Sequence, residues 1–272
     1  MEFYGLLGEK LGHSLSPRIH KIIFESIEVD GAYKLFEVQK SDLNEFIDGV
    51  KVLNIKGASV TIPYKEEIIQ YLDVVSPEAQ RIGSVNTISL IDNKLYGYNT
   101  DYYGFGYMLD VHKVKLDHQV VVILGNGGAT KSVMHYLLDN GVKKVYIASR
   151  NPNKERRDGL RDERAEIIGY AELNDIKGDM LVNATPVGMF PHEDESPVED
   201  YIIENFDTIV DIIYNPAMTQ LLCKGKELGK KTVGGLYMLI GQGVKAQEIW
   251  QNRSIDESVI KDIYEILNRE FS

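Results

Sequence analysis

Cysteine is nearly absent: Cys223 is the single one in 272 residues. A disulfide framework or a thiolate metal cluster is thereby excluded within the chain, and the composition suits a reducing compartment, with the cytoplasm as the expected location. Cys223 sits in an apolar stretch and reads as a small core residue. Basic residues are also in deficit, with 30 Lys and Arg against 41 Asp and Glu and a formal net charge of -11. Nucleic-acid binding needs a clustered excess of Lys and Arg to neutralise phosphates, so nucleic acid is not an expected partner. An anionic small molecule would instead be held by locally placed hydroxyls, amides and helix N-termini. Long apolar runs are missing too. No segment approaches the ~18 apolar residues of a membrane span, so no membrane association is expected. The opening Met1-Glu2-Phe3-Tyr4-Gly5 reads as a first strand and lacks the basic start and apolar core of a signal peptide. His13 and His192 have no metal-ligand spacing around them, and neither an internal repeat nor a low-complexity tract appears.

What is present is a repeated alternation of short apolar runs with helical periodicity, the pattern of a largely parallel sheet covered by helices. Its length suits two domains, at the usual ~100 to 200 residues each. The expected class is α/β. Phe3 to Leu7 reads as a strand, Ser16-Pro17 as an N-cap and first helical residue, and Ala32 to Val38 as a second strand. Leu43, Phe46, Ile47 and Val50 form one helical face, followed by a strand near Ile55 to Val60. Val85 to Ile91 and Leu95 to Tyr98, joined by Asp92-Asn93, make a hairpin. After Asp101 the pattern restarts with Val120 to Leu124, a β-branched run typical of a central strand buried on both faces. Further strands are expected at Val145 to Ala148, Met180 to Asn183 and Thr208 to Ile212, with a short or irregular crossover over 153–164. The closing helices, near Leu236 to Trp250 and Asp256 to Arg269, have no strand to pair with and fit as a return onto the first domain.

The strand Val120 to Leu124 runs into Gly125-Asn126-Gly127-Gly128-Ala129, and Ser132, Val133 and Met134 continue as a helix. Glycines at such a turn let the backbone approach a pyrophosphate whose charge rests at the helix N-terminus. Gly125 and Gly127 fill the first two positions of the dinucleotide pattern G-x-G-x-x-G, while the third falls on Thr130; a plain strand-to-helix turn without a ligand fits the same residues. The next strand ends Ser149-Arg150-Asn151. An NAD fold usually places a carboxylate there for the ribose hydroxyl; an arginine suits a 2′-phosphate, so NADP(H) is the expected cofactor. Lys154 follows as a second cation.

Two polar clusters remain in the first half. Pro63 in Val60-Thr61-Ile62-Pro63-Tyr64-Lys65 starts a helix or turn that aims Lys65 at a strand end, and Asn99-Thr100-Asp101 follows the hairpin. A lysine beside an aspartate can move a proton to and from a ring carbonyl oxygen, although spacing alone equally fits an ordinary ion pair. Ser14 and Ser16 lie after the first strand, where two hydroxyls and a helix start suit a carboxylate, and where a helix cap and a solvated loop residue would look the same.

In register along nearly the whole chain, Gly12-His13-Ser14-Leu15-Ser16-Pro17, Val60 to Lys65, Val85-Asn86-Thr87, Asn99-Thr100-Asp101, Gly125 to Ala129, Asn183-Ala184-Thr185-Pro186-Val187-Gly188-Met189, Asp211 to Pro216 and Gly241-Gln242-Gly243 resemble the shikimate dehydrogenase family. The resemblance implies a catalytic domain of residues 1–101 plus 237–272 and a Rossmann-like NADP domain of residues 102–236. The implied reaction is the reversible NADPH-dependent reduction of 3-dehydroshikimate to shikimate in aromatic amino-acid (chorismate) biosynthesis, by a monomer or homodimer. Lys65 and Asp101 would be the catalytic pair, Ser14, Ser16 and Tyr214 the carboxylate site, and Thr61, Asn86 and Gln242 the ring-hydroxyl site. The stretch Asn183 to Met189, including Thr185 and Gly188, would line the nicotinamide together with Met238, and Gly235 would allow close backbone approach. Where the family has an asparagine this chain has Ser59, shorter and with one donor, so quinate acceptance is less predictable. Pro186 replaces a frequent serine and removes a backbone donor. The competing readings are a quinate/shikimate dehydrogenase using NAD and a ligand-binding relative without turnover.

Overall fold

The computed structural model describes residues 1–12, 14–153 and 162–271. It divides into two compact units, Met1–Gly104 with Ile240–Glu265, and Phe105–Leu239 with Ile266–Ser272. The first two breaks lie three residues beyond the divisions read from the sequence, and the last turns of the final helix group with the second unit instead of the first.

The first unit is built on β1 (Glu2–Gly8), β2 (Gly31–Glu37), β3 (Gly57–Val60), β4 (Val74–Val75), β5 (Thr87–Ile91) and β6 (Lys94–Tyr98). They form one sheet in the order β2-β1-β3-β5-β6-β4. Its first three strands are parallel and β5 turns antiparallel against β3. The helices are α1 (Ser16–Ser26), α2 (Leu43–Val52), α3 (Pro77–Ile82) and the start of α4 (Thr100–Val111). One sheet face buries Leu7, Ala58, Val60, Ile88 and Leu95 against Leu43, Ile47 and Val50, the apolar stripe of α2. The β5–β6 turn has Asp92 at φ 49° and Asn93 at φ 62°. Those are the two positive values a type I′ hairpin requires, and Asp and Asn tolerate them.

In the second unit, β7 (Val120–Leu124), β8 (Lys144–Ser149), β9 (Ala165–Gly169), β10 (Met180–Asn183), β11 (Thr208–Asp211) and β12 (Lys231–Val233) are all parallel, in the order β12-β11-β10-β7-β8-β9. Relabelled by position this is the doubly wound order 3-2-1-4-5-6, whose direction reverses between β7 and β10. Val121 and Ile123 point into one apolar cluster and Val122 and Leu124 into another. Both faces of β7 are therefore covered, as its unbroken β-branched run demands. The helices here are α5 (Thr130–Asp139), α6 (Asp200–Ile203) and α7 (Gln220–Glu227), and the chain closes with α8 (Leu236–Gln251) and α9 (Glu257–Phe271). From its later turns α8 covers the first sheet: the Trp250 indole donates to the Ile88 carbonyl at 2.9 Å, and Gln251 donates to the Tyr4 hydroxyl at 2.8 Å.

Several expectations need correction. Ser16 is not the helix cap, since Leu15 occupies that place with a helical φ of -81° and no side-chain cap bond. Asp101, which follows the hairpin, lies not in a loop but in the first turn of α4, whose start is capped by Asn99 Oδ1 accepting from the Tyr102 N–H at 3.1 Å. Of the helix or turn expected at Pro63 the structure has the turn, ahead of a 3₁₀ segment at Glu67–Tyr71. Cys223 is half-buried on α7, outside the core. His192 is exposed in its loop. Among the described residues no helix is long and apolar enough to cross a membrane. His13, Lys154 and most of the crossover at 153–164 lie outside the described residues.

Candidate active site

At the carboxyl ends of β3 and β6, Lys65 Nζ lies 2.6 Å from Asp101 Oδ2, with the two side chains only 14% and 11% exposed. Secondary structure brings both there. The Lys65 carbonyl accepts from the Val85 N–H at 2.8 Å, which ties the turn after β3 to the approach to β5. Asn86, two per cent exposed, supplies the brace on the other side: its Nδ2 donates to Asp101 Oδ1 at 2.8 Å. The Asn86 oxygen in turn accepts from the Thr100 N–H at 2.6 Å and from the Thr87 and Thr100 hydroxyls at 3.1 and 3.2 Å. Each carboxylate oxygen of Asp101 thus has a partner, and the ammonium is held at one of them. Spacing could not have separated this from a surface ion pair; burial and the Asn86 brace do so. Thr87 and Thr100 escape sequence reasoning because their role is to fix the amide of Asn86.

The first unit also carries Ser14, Ser16, Ser59, Thr61 and Gln242. Ser14 Oγ accepts from the Ser16 N–H at 3.2 Å, which takes over the capping function expected of Ser16. Ser16 and Ser59 are buried, Thr61 is half-buried after β3, and Gln242 is half-buried on α8. Ser59 Oγ has no hydrogen-bond partner, and neither does the buried Tyr33 hydroxyl. Ser59 and Ser16 are the polar neighbours of that phenol, whose pKa burial pushes up. A further feature unmarked by any motif is His20, where Nδ1 meets Gln247 Nε2 at 2.9 Å while Nε2 is buried without a partner. Burial pushes its pKa down to about 3. Tyr214 belongs to the second unit, half-buried after β11, and burial raises its pKa.

In the second unit, β7 leads straight into the glycine turn. Gly125 has φ +90°, and a Cβ there would lie 2.7 Å from Thr185 Cγ2; both the conformation and the space require glycine. Thr130, at the third glycine position, explains that departure. Its buried hydroxyl donates to the Gly125 carbonyl at 3.0 Å and accepts from the Gly127 N–H at 3.1 Å, closing the turn from the first residue of α5. Gly125, Asn126, Gly127, Gly128 and Ala129 therefore present a shaped turn at a helix start, as a pyrophosphate requires. At the end of β8, Ser149 Oγ accepts from the Asn151 N–H at 3.1 Å, and Arg150 is exposed. Its charge lies near enough to the Tyr170 phenol to oppose the rise in pKa that burial causes there.

Asn183 departs from its expected role. It is fully buried, and both ends of its amide are engaged: Nδ2 donates to both oxygens of Asp211 at 3.1 and 3.2 Å and to the Val187 carbonyl at 3.2 Å. Its oxygen accepts from the Thr185 N–H and hydroxyl at 3.0 and 2.7 Å. Asn183 shapes the loop that carries Thr185, Gly188 and Met189 and does not itself face a ligand. Met189 is exposed and Met238 is packed in the core beneath β7 and β10. Gly235 also makes its close approach inside the protein, where a Cβ would run into the Ile212 carbonyl oxygen.

Known proteins resemble this chain along its whole length. Residues 6–88 match the family model described as shikimate dehydrogenase substrate binding domain. A curated relative from Clostridium beijerinckii, named shikimate dehydrogenase (NADP(+)), is 52% identical over 271 residues, covering 100% of both chains. A crystal structure of shikimate dehydrogenase 1 from Peptoclostridium difficile superposes with a TM-score of 0.92 at 49% identity, covering 100% of this chain and 99% of that one. Shikimate 5-dehydrogenase from Thermus thermophilus, solved in complex with NADP(H) and shikimate, has a TM-score of 0.85 at 32% identity, covering 96% and 98%. With 52% identity over the full length of both chains, the chain belongs to the shikimate dehydrogenase family.

Proposed function

We propose that the chain catalyses the reversible NADPH-dependent reduction of 3-dehydroshikimate to shikimate in the cytoplasm, with the first unit taking the substrate and the second the cofactor. The observation that carries this reading is the nearly buried Lys65–Asp101 contact of 2.6 Å, braced by Asn86. When bound, the reduced nicotinamide supplies a hydride to the carbonyl carbon. As the C–O π bond breaks, charge grows on the oxygen, and the Lys65 ammonium gives it a proton; in the reverse direction the amine takes the proton from the hydroxyl. Asp101 keeps the ammonium in place and stabilises it. Ser14 and Ser16 hold the carboxylate, and Thr61, Ser59 and Gln242 face the ring hydroxyls, with the remaining N–H of Asn86 beside them.

Turnover of shikimate and of quinate with NADP and with NAD tests the reading in four combinations. Rapid reduction of NADP with shikimate alone is expected. Faster reaction with quinate or NAD would move the assignment to a dual-specificity enzyme, and cofactor binding without turnover in any combination would make the chain a binding protein.

Arg150 is the residue expected to select NADP. Arg150→Ala raises the Kd for NADP by roughly 10- to 100-fold, the loss of one or two charge-assisted hydrogen bonds, and leaves NAD within about twofold. Titration with NADPH and with NADH, read by the fluorescence of the reduced nicotinamide, checks it; equal losses would mean that Arg150 does not read the 2′-phosphate.

A further inference from the structure

The second sheet ends in a buried carboxylate that the proton-transfer step does not use. Asp211 is the last residue of β11 and pairs in register with Asn183, the last residue of β10; both are 0% exposed. Its Oδ1 accepts from the Ile213 N–H at 3.0 Å and its Oδ2 from the Thr219 hydroxyl at 2.7 Å, in addition to the Asn183 amide. Two loops therefore hang on one side chain. Through Ile213 and Thr219 it anchors both ends of the segment 212–219, because Thr219 also caps α7 by accepting from the Leu222 N–H. Through Asn183 it sets the segment 184–188.

The chemistry of an ionised carboxylate fixes the direction of this chain of bonds. A carboxylate only accepts, so the Asn183 amide must turn its nitrogen toward Asp211 and its oxygen toward Thr185. That oxygen takes both the N–H and the hydroxyl of Thr185, and Thr185 Oγ1 then accepts from the Val187 N–H at 3.2 Å. Thr185 and Ala184 are also the atoms that crowd Gly125 in the glycine turn. Loop and turn thus form one wall at the β7–β10 switch point. In a doubly wound sheet the dinucleotide lies across that point, its adenosine half toward the β7–β8 side and its other mononucleotide toward β10 and β11.

The geometry points to Asp211 as a positioning residue for the nicotinamide half of the dinucleotide, acting through Asn183 and Thr185. The inference rests on the cofactor reading above, yet it concerns one end of the cofactor only. The adenosine end, served by the glycine turn and Arg150, has no bond in this chain of contacts.

Asp211→Asn replaces an acceptor by an amide that must point an N–H at Asn183 or Thr219, and so scrambles the direction of the bonds with little change in volume. The expected result is a split. Affinity for 2′,5′-ADP, which carries only the adenosine end, stays within about twofold, whereas kcat at saturating NADP falls about 10- to 100-fold through misplacement of the reacting ring. Affinity for NADPH, read by nicotinamide fluorescence, falls toward that of 2′,5′-ADP. If Asp211→Asn does not fold, Thr185→Val breaks the same chain one link later at nearly constant volume, with the same split expected. Retention of kcat and of the NADPH to 2′,5′-ADP affinity ratio in a folded variant with a lowered Tm would make Asp211 purely structural, and parallel loss of both affinities would mean that the whole domain is disturbed. Failure of the wild-type chain to oxidise shikimate would overturn the functional reading alone, because the affinity split is measured without substrate.

Discussion

Lys65→Ala is expected to lower kcat by about 10² to 10⁴-fold while the affinity for NADP stays within about twofold. Lys65 Nζ is the cation that contacts Asp101, and it is held there by geometry: the backbone of Lys65 is pinned to Val85, and the carboxylate is pinned to Asn86. Alanine removes the proton donor and leaves those braces intact. The glycine turn and Arg150 belong to the other unit, so cofactor affinity is a separate readout. Asp101, having lost the ammonium and kept the Asn86 N–H, becomes a buried carboxylate short of one partner, which predicts a lower Tm as well. Steady-state kinetics with fluorescence titration of NADP decide the matter. Wild-type turnover in the variant would remove Lys65 from the proton transfer, and a loss confined to cofactor affinity would place it at the wrong site.

The second large effect is on acid stability and comes from His20. Its imidazole is buried, accepts from Gln247 through Nδ1, and has its pKa pushed down to about 3 from an ordinary 6.5. The folded chain therefore refuses a proton that the unfolded chain accepts. Stability from this group is full above pH 6.5 and is lost as pH falls from 6.5 toward 3. Asp211 acts with the opposite sign. Burial raises its pKa to about 6 from 3.8, opposed by its bonds to Ile213, Thr219 and Asn183, so its contribution falls as pH rises through that window and is lowest above it. The wild-type acid curve is thus partly flattened between 3.8 and 6 by two groups pulling in opposite directions. A difference measurement isolates His20. His20→Gln cannot take up the proton, so between about pH 6.5 and 5 its unfolding free energy should gain about 1.6 kcal/mol relative to wild type, the slope rising from half of ~1.4 kcal/mol per pH unit at pH 6.5 to nearly all of it at pH 5. Urea unfolding at the two pH values measures it, and a difference between the proteins that does not change with pH would show that the imidazole is hydrated.

Much of the architecture is legible in the sequence. Val120 to Leu124, Met180 to Asn183 and the Asp92-Asn93 hairpin declare themselves because a buried parallel strand is a continuous apolar run and a two-residue hairpin needs residues that tolerate positive φ. Strands of low contrast escape it. Val74–Val75 and Lys231–Val233 are two and three residues long, and Ala165–Gly169 follows a charged stretch; each is a strand because a neighbouring edge offers hydrogen bonds, which periodicity does not report. The start of α4 escapes although its signal is present, since Asn99 is a good helix cap, but the polar run Asn99-Thr100-Asp101 also reads as a loop.

The site divides in the same way. Glycine at 125, an arginine where NAD enzymes place a carboxylate, and a lysine and an aspartate each following a strand are local chemistry, and the sequence by itself determined them. Tertiary structure decided how each group is used. Only the approach of β3 to β5 puts Lys65 against Asp101, only the register of β10 with β11 turns Asn183 away from a ligand and onto Asp211, and only the return of α8 buries His20 beside Gln247. The physical reason is common to all three. A polar side chain's role depends on whether water or protein satisfies it, and that is settled by residues far away in the chain, where the sequence carries no local record of the contact.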